Sequence, residues 1–287
     1  MRVSTYQNVS WAKRELMNLN MQQQHYRNQV TSGKKHLKMS DDPLSASKSF
    51  AIEHSISNIG QMKKDVTDSQ NILKHTESSL QGIAKALDRT NQLTVQALNG
   101  TNGPDELKAI STEIDELLKQ VVYLANTKEE GRYLFGGEGT TQPPFAEDGT
   151  YQGGVEDVYW TLNDGYKVKA FQNGESLLTP TIQTLTKLKD ALHTGDRAAA
   201  EALMDANKQN FDNVLNKVTE VGSITNTLST FTTILNEQNL ALHETKKEIE
   251  DVELSSAITD LAYANATYEA TLKAVSTMNK ISMLDYM

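Results

Sequence analysis

The 287-residue chain contains no cysteine. Disulfides, thiolate metal sites and cysteine nucleophiles are therefore excluded. Proline is scarce: there are five, and three of them (Pro143, Pro144, Pro180) fall between residues 136 and 180. The long stretches on either side carry few helix breakers. Hydrophobic residues make up 38%, aromatics 6%, and the mean hydropathy is −0.52. An apolar share under the ~45–50% usual for globular domains argues against one large compact core. No apolar run approaches the ~18 residues of a spanning helix; the longest is Val121-Val122-Tyr123-Leu124-Ala125. The first twenty residues alternate polar and apolar and lack the apolar stretch of a cleavable signal peptide. By default that implies the cytoplasm, unless the chain leaves the cell by a route that reads no cleaved signal.

Charge is short of one sign. Lys and Arg number 28 against 37 Asp and Glu, a net charge of −9. Nucleic-acid binding needs a basic surface, so it is not expected, and neither is membrane association. The charge is also unevenly placed. Residues 1–40 carry Arg2, Lys13, Arg14, Arg27, Lys34, Lys35 and Lys38 against Glu15 alone, whereas residues 244–287 carry eight acids against four lysines.

What the chain has in quantity is heptad-like spacing. Val9, Ala12, Leu16, Leu19, Tyr26 and Val30 follow steps of three and four, with Gln23 as one polar break. That pattern predicts a coiled-coil helix. Thr31-Ser32-Gly33 ends it, with Gly33 suited to the position just past a helix. Ser40-Asp41-Asp42-Pro43 restarts a helix: Asp42 can cap free N–H groups, and Pro43 fits the first helical position. Its seam runs Ile52, Ile56, Ile59, Val66, Leu73, Leu80 and Leu87, with an end near Leu98. A further restart at Gly103-Pro104-Asp105-Glu106 opens a helix facing inward through Leu107, Ile110, Ile114, Leu117, Val121 and Leu124.

From Gly131 the pattern changes. Val158–Leu162 and Tyr166–Phe171, separated by a Gly-containing turn, predict a β-hairpin. Helical periodicity resumes near Ile182 and continues through Phe211, Leu228, Phe231, Leu235, Leu242, Ile249 and Val252. A last seam runs Leu254, Ile258, Leu261, Tyr268, Leu272, Val275, Met278, Ile281 and Leu284, with Asn265 and Asn279 as polar members. The expected fold is mainly α: an elongated antiparallel helical bundle or coiled-coil rod with a small β-rich insert. Its expected parts are a terminal coiled-coil domain (1–40 with 251–287), a helical rod (41–135 with 181–250), and the insert (136–180).

No enzyme is expected. None of the six histidines stands three or four residues from another, there is no Gly-x-Ser-x-Gly or P-loop, and Gly136-Gly137-Glu138-Gly139 leads into Thr-Thr-Gln-Pro-Pro instead of a helix. Asp41-Asp42 is explained by capping, and the acidic run Glu248–Glu253 lacks calcium-loop spacing. No cofactor or metal is expected. The terminal seams could fold onto the chain's own core, or pair with each other and with neighbouring subunits. In the second case apolar burial, ~1.5–3 kcal/mol per Leu or Ile, would drive association. Opposite charge, ~0.2–1 kcal/mol per exposed pair, would set register.

Several segments resemble the flagellin-like axial proteins of the bacterial flagellum. They are Met1-Arg2-Val3-Ser4-Thr5, Ser32-Gly33-Lys34-Lys35, Ser40-Asp41-Asp42-Pro43, Asn99-Gly100-Thr101, Ala125-Asn126-Thr127, Gly131-Arg132-Tyr133-Leu134-Phe135-Gly136-Gly137 and the ending Leu284-Asp285-Tyr286-Met287. Pro43 and the Asp285-Tyr286 ending are similar to the branch that joins hook to filament more than to flagellins, where the Asp pair usually precedes Ala-Ala-Gly. The resemblance implies a structural adaptor in a ring of identical subunits, between hook-associated protein 1 and flagellin. It also implies an extracellular location, export without a cleaved signal peptide, and an export chaperone on the C-terminal helix. The alternatives are a flagellin or a cytoplasmic coiled-coil scaffold.

Overall fold

The computed structural model describes residues 2–99, 103–139, 141–146, 148–163 and 166–284; the side chains of residues 2–6, 8, 162, 163, 166, 170 and 278–284 lie outside that description. The chain is mainly α, with the helices α1 (Arg2–Ser32), α2 (Pro43–Leu98) and α3 (Pro104–Ala125) in its first part. The short strands β1 (Lys128–Glu129) and β2 (Arg132–Tyr133) pair antiparallel, as do β3 (Val158–Asn163) and β4 (Tyr166–Phe171). The helices α4 (Glu175–Thr194), α5 (Arg197–Glu250) and α6 (Leu254–Leu284) complete it. The chain forms two compact units, one of Ile59–Asn236 and one of Met1–Asn58 with Glu237–Met287, so the division falls inside α2 and α5.

The larger unit is built on the seven-residue repeat of α2. Val66, Leu73, Leu80 and Leu87 are fully buried, and each such side chain stabilises by ~1.5–3 kcal/mol. Leu93, Ile110, Ile114, Leu188 and Leu192 carry the core onto α3 and α4. Two hydroxyls of α2 inside it are satisfied locally: Thr76 donates to the Ile72 carbonyl at 2.9 Å and Thr90 to that of Ala86 at 2.9 Å. Asn207 is buried as well. Its amide donates to Asn91 Oδ1 at 2.7 Å, while its own carbonyl oxygen has no partner.

The β region is held from α3 by Asn126, which donates to the Phe145 carbonyl at 2.8 Å and accepts from the Phe145 amide at 3.0 Å. Phe135, Phe145 and Phe171 fill its centre. Tyr151 donates to the Gly154 carbonyl at 2.8 Å, and burial pushes its phenol up to about 12. Gly137, at φ 56°, leaves no room for a side chain: a Cβ there would stand 2.6 Å from the Glu156 carbonyl oxygen. Among the described residues no helix is long and apolar enough to cross a membrane, and no cluster of metal-ligating side chains forms.

Three helix boundaries differ from the sequence reading. Helix α4 begins at Glu175, ahead of the expected Ile182, and runs through Pro180. Burial of Leu178, Ile182 and Leu185 outweighs the one hydrogen bond that a proline forfeits. A left-handed Gly195 (φ 77°) separates α4 from α5, and Asp196 Oδ1 accepts the Ala199 amide at 3.0 Å to start the next helix. The chain also leaves the helix at Asp251 and re-enters at Leu254, so Val252 belongs to no helix.

Candidate assembly surface

Within the smaller unit, α1 packs against α6. The helices run antiparallel, since Gln23 Nε2 donates to Asn265 Oδ1 at 2.5 Å while the Gly33 carbonyl accepts the Val252 amide at 2.9 Å. Ala12, Leu19, Ala257 and Ala264 are buried between them, and Leu16, Tyr26, Val30, Leu261, Tyr268 and Val275 are half-buried. Alanine at 257 and 264 lets the backbones approach closely but buries little area, so the pair stands on few large side chains.

The expected α6 seam is corrected by about one helical position. Ala257, Leu261, Ala264 and Tyr268 turn inward, while Leu254 (50% exposed), Ile258 (50%) and Leu272 (45%) face outward on one flank, and Val9 of α1 is 49% exposed. The side chains of Met278, Ile281 and Leu284 lie outside the described residues. Among the described residues no ion pair lies within the α1–α6 seam itself; the basic first forty residues and the acidic C-terminal segment meet just beyond it, where Lys34 pairs with Glu250 at 2.8 Å. Inside the seam the polar pair is Gln23–Asn265, like a single polar residue in a coiled-coil seam.

The open ends of the two helices are stapled together. Gly33 sits at φ 71°, closing α1 through its amide to the Gln29 carbonyl at 2.8 Å. Beyond it, the Lys35 amide donates to the Glu250 carbonyl at 2.7 Å, and Lys34 bridges Asp251 as in an antiparallel ladder. Glu250 is the centre of the joint. Its carboxylate accepts from Lys34 Nζ at 2.8 Å and from Ser49 Oγ, with Lys246 Nζ at 3.8 Å. The Lys34 hydrogen bond, then the Ser49 one, hold its carboxyl below the usual glutamate range. Asp42 Oδ1 accepts the amides of Leu44 and Ser45, both at 3.1 Å, and Pro43 opens α2. Hydrogen bonds from Ser45 hold the Asp42 carboxyl low. Glu250 and Ser49 carried no signal in the sequence, because the break they secure contains neither glycine nor proline.

The arrangement is a helix pair fixed at one end, with Leu254, Ile258 and Leu272 half-exposed on α6.

Residues 3–140 match the family model for the bacterial flagellin N-terminal helical region. The chain is 59% identical to FlgL from Bacillus cereus over 69% of its length and 99% of that crystal structure, with a TM-score of 0.64. It is 25% identical to flagellar hook-associated protein 3 of Escherichia coli, over 99% of this chain and 98% of that protein. Similarity to phase 1 flagellin of Salmonella naestved is confined to 97 residues, 34% of this chain and 19% of that flagellin, at 30% identity.

Proposed function

The chain belongs to the flagellar hook-associated protein 3 (FlgL) family, and from that membership we propose how its terminal helices work. It is a structural protein of the bacterial flagellum, an adaptor at the junction of hook and filament. On our reading, identical subunits form a ring between hook-associated protein 1 and the first flagellin layer. The half-exposed flank of the terminal pair, with Val9, Leu254, Ile258 and Leu272, packs against neighbouring subunits. By sequence the seam continues through Met278, Ile281 and Leu284. Buried Ala12 and Leu19, with half-buried Leu16, Tyr26, Val30, Leu261, Tyr268 and Val275, hold the pair in the shape the neighbour meets. Head-to-tail contact between identical subunits, one surface against a different one, forms a ring when its rotation closes.

The observation that carries this reading is the outward turn of Leu254, Ile258 and Leu272, which the chain's own α1 does not cover. The subunit reaches its place through the flagellar export path, without a cleaved signal peptide, after a chaperone has shielded the same apolar flank. The test is deletion of the gene, with electron microscopy of the cells and an assay of the medium. Bare hooks with flagellin released into the medium are the expected result. Normal filaments would reject the junction role, and intact hooks with no flagellin anywhere would make this chain the filament subunit.

A further inference from the structure

We propose that the segment Gly33–Lys35 is a strap that keeps α5 and α6 apart, and that the two close into one continuous helix when it leaves. This holds independently of the assembly reading. The last bond of α5 runs from the Asp251 amide to the Lys247 carbonyl at 2.8 Å, and the first bond of α6 from the Ala257 amide to the Glu253 carbonyl at 3.0 Å. The intervening Asp251-Val252-Glu253-Leu254-Ser255-Ser256 contains neither glycine nor proline, so nothing in it excludes a helix.

What opens the break lies elsewhere in the chain. In an unbroken helix the Glu248 carbonyl accepts from the Val252 amide and the Glu250 carbonyl from the Leu254 amide. Here Lys35 takes both acceptors: its ammonium donates to the Glu248 carbonyl at 2.5 Å and its amide to the Glu250 carbonyl at 2.7 Å. The displaced Val252 amide donates instead to the Gly33 carbonyl at 2.9 Å. Gly33 turns the strap into place at φ 71°, and Lys34 fastens it to the Glu250 carboxylate at 2.8 Å. The amides that follow stand at a helix start, where no intrahelical acceptor is available. The two arrangements compete for the same two carbonyls and exclude each other. The continuous helix is the local preference of the sequence, whereas the break is imposed by a strap carried on the end of α1. Docking of α1 and the break are therefore one two-state element. When α1 leaves α6, the carbonyls of Glu248 and Glu250 return to their own helix.

The test is segment-resolved hydrogen exchange on the full chain with Lys35→Pro, which removes both donors of the strap. The amides of Leu254, Ser255 and Ser256 should gain about tenfold or more protection in the variant, as helical bonds form across the break. Lys35→Ala, which keeps the backbone donor and removes the ammonium, should give a smaller gain. Leu254→Pro added to Lys35→Pro should abolish the gain at Ser255 and Ser256, because proline suits the first position of α6 but not a helix interior. Unchanged protection of α2 from Val66 to Leu87 is the check that the variants are folded. No gain at residues 254–256 in either Lys35 variant, or a gain that survives Leu254→Pro, would overturn the proposal. So would equal protection of those amides in the unaltered chain.

Discussion

Leu19→Ala should open the terminal helix pair and leave the rest of the protein closed. Of the four described apolar side chains buried between α1 and α6, three are alanines, and Leu19 is the one large group. Truncating a buried leucine costs ~2–5 kcal/mol. Taking ~2 kcal/mol, the low end, for a thin pair that can partly collapse onto the gap, the open population rises ~30-fold at ~1.4 kcal/mol per decade. Hydrogen exchange resolved by segment is the assay, because local opening appears there as faster exchange of the opening elements alone. Amides of α1 and α6 should exchange ~30-fold faster in the variant, with those of α2 between Val66 and Leu87 unchanged. The control is Leu80→Ala in the fully buried α2 core, which should accelerate exchange throughout the larger unit. If Leu19→Ala sped exchange equally in α1 and in the middle of α2, the pair would not be a separable element. If it changed nothing, Leu19 would not be the side chain that holds it.

Acid should loosen the joint at Glu250. Its folded pKa is lowered by Lys34 and Ser49, so its contribution is present above the unfolded value of ~4.3 and is lost as pH falls through the lower folded value. Protection at Lys35 and Val252, taken relative to the intrinsic exchange rate at each pH, should therefore fall below about pH 4, and Glu250→Gln should flatten that dependence. Asp42→Ala removes the acceptor of two α2 amides and should cost ~1 kcal/mol in thermal unfolding; an unchanged midpoint would deny the cap. Tyr151→Phe removes the donor to Gly154 and should cost ~1 kcal/mol in urea titration, with native helicity retained. Limited proteolysis of the dilute monomer should trim both ends to a core of roughly residues 45–245, as expected of a terminal pair with little buried area; full protection of the termini would contradict it.

Much of the fold is legible because its signals are local. Gly33 ends α1, Asp42-Pro43 opens α2, and the repeat from Ile59 to Leu87 faces inward, each by a rule acting within a turn or two. The β3–β4 hairpin follows from its alternation and turn. The break at Asp251–Glu253 was not legible, since no residue there disfavours a helix. It is fixed by hydrogen bonds to Gly33 and Lys35, which lie near the opposite end of the chain. Pro180 falls by sequence at the end of the β-rich insert, yet burial of the leucines around it carries the helix through it. The face of α6 was misplaced by one position because Leu254, Ile258 and Leu272 form as good a heptad seam as Ala257, Leu261 and Ala264. Hydrophobicity alone favours the larger residues, whereas close antiparallel packing favours the smaller ones.

The central claim is that the outward flank of α6 joins this subunit to its neighbours. The direct test is complementation of a deletion strain with Ile258→Asp, Leu272→Asp, two substitutions at half-exposed positions away from the buried core. The variant should be made and exported, its core should remain folded, and cells should carry bare hooks while flagellin accumulates in the medium. Filaments of normal length and number on those cells would contradict the account.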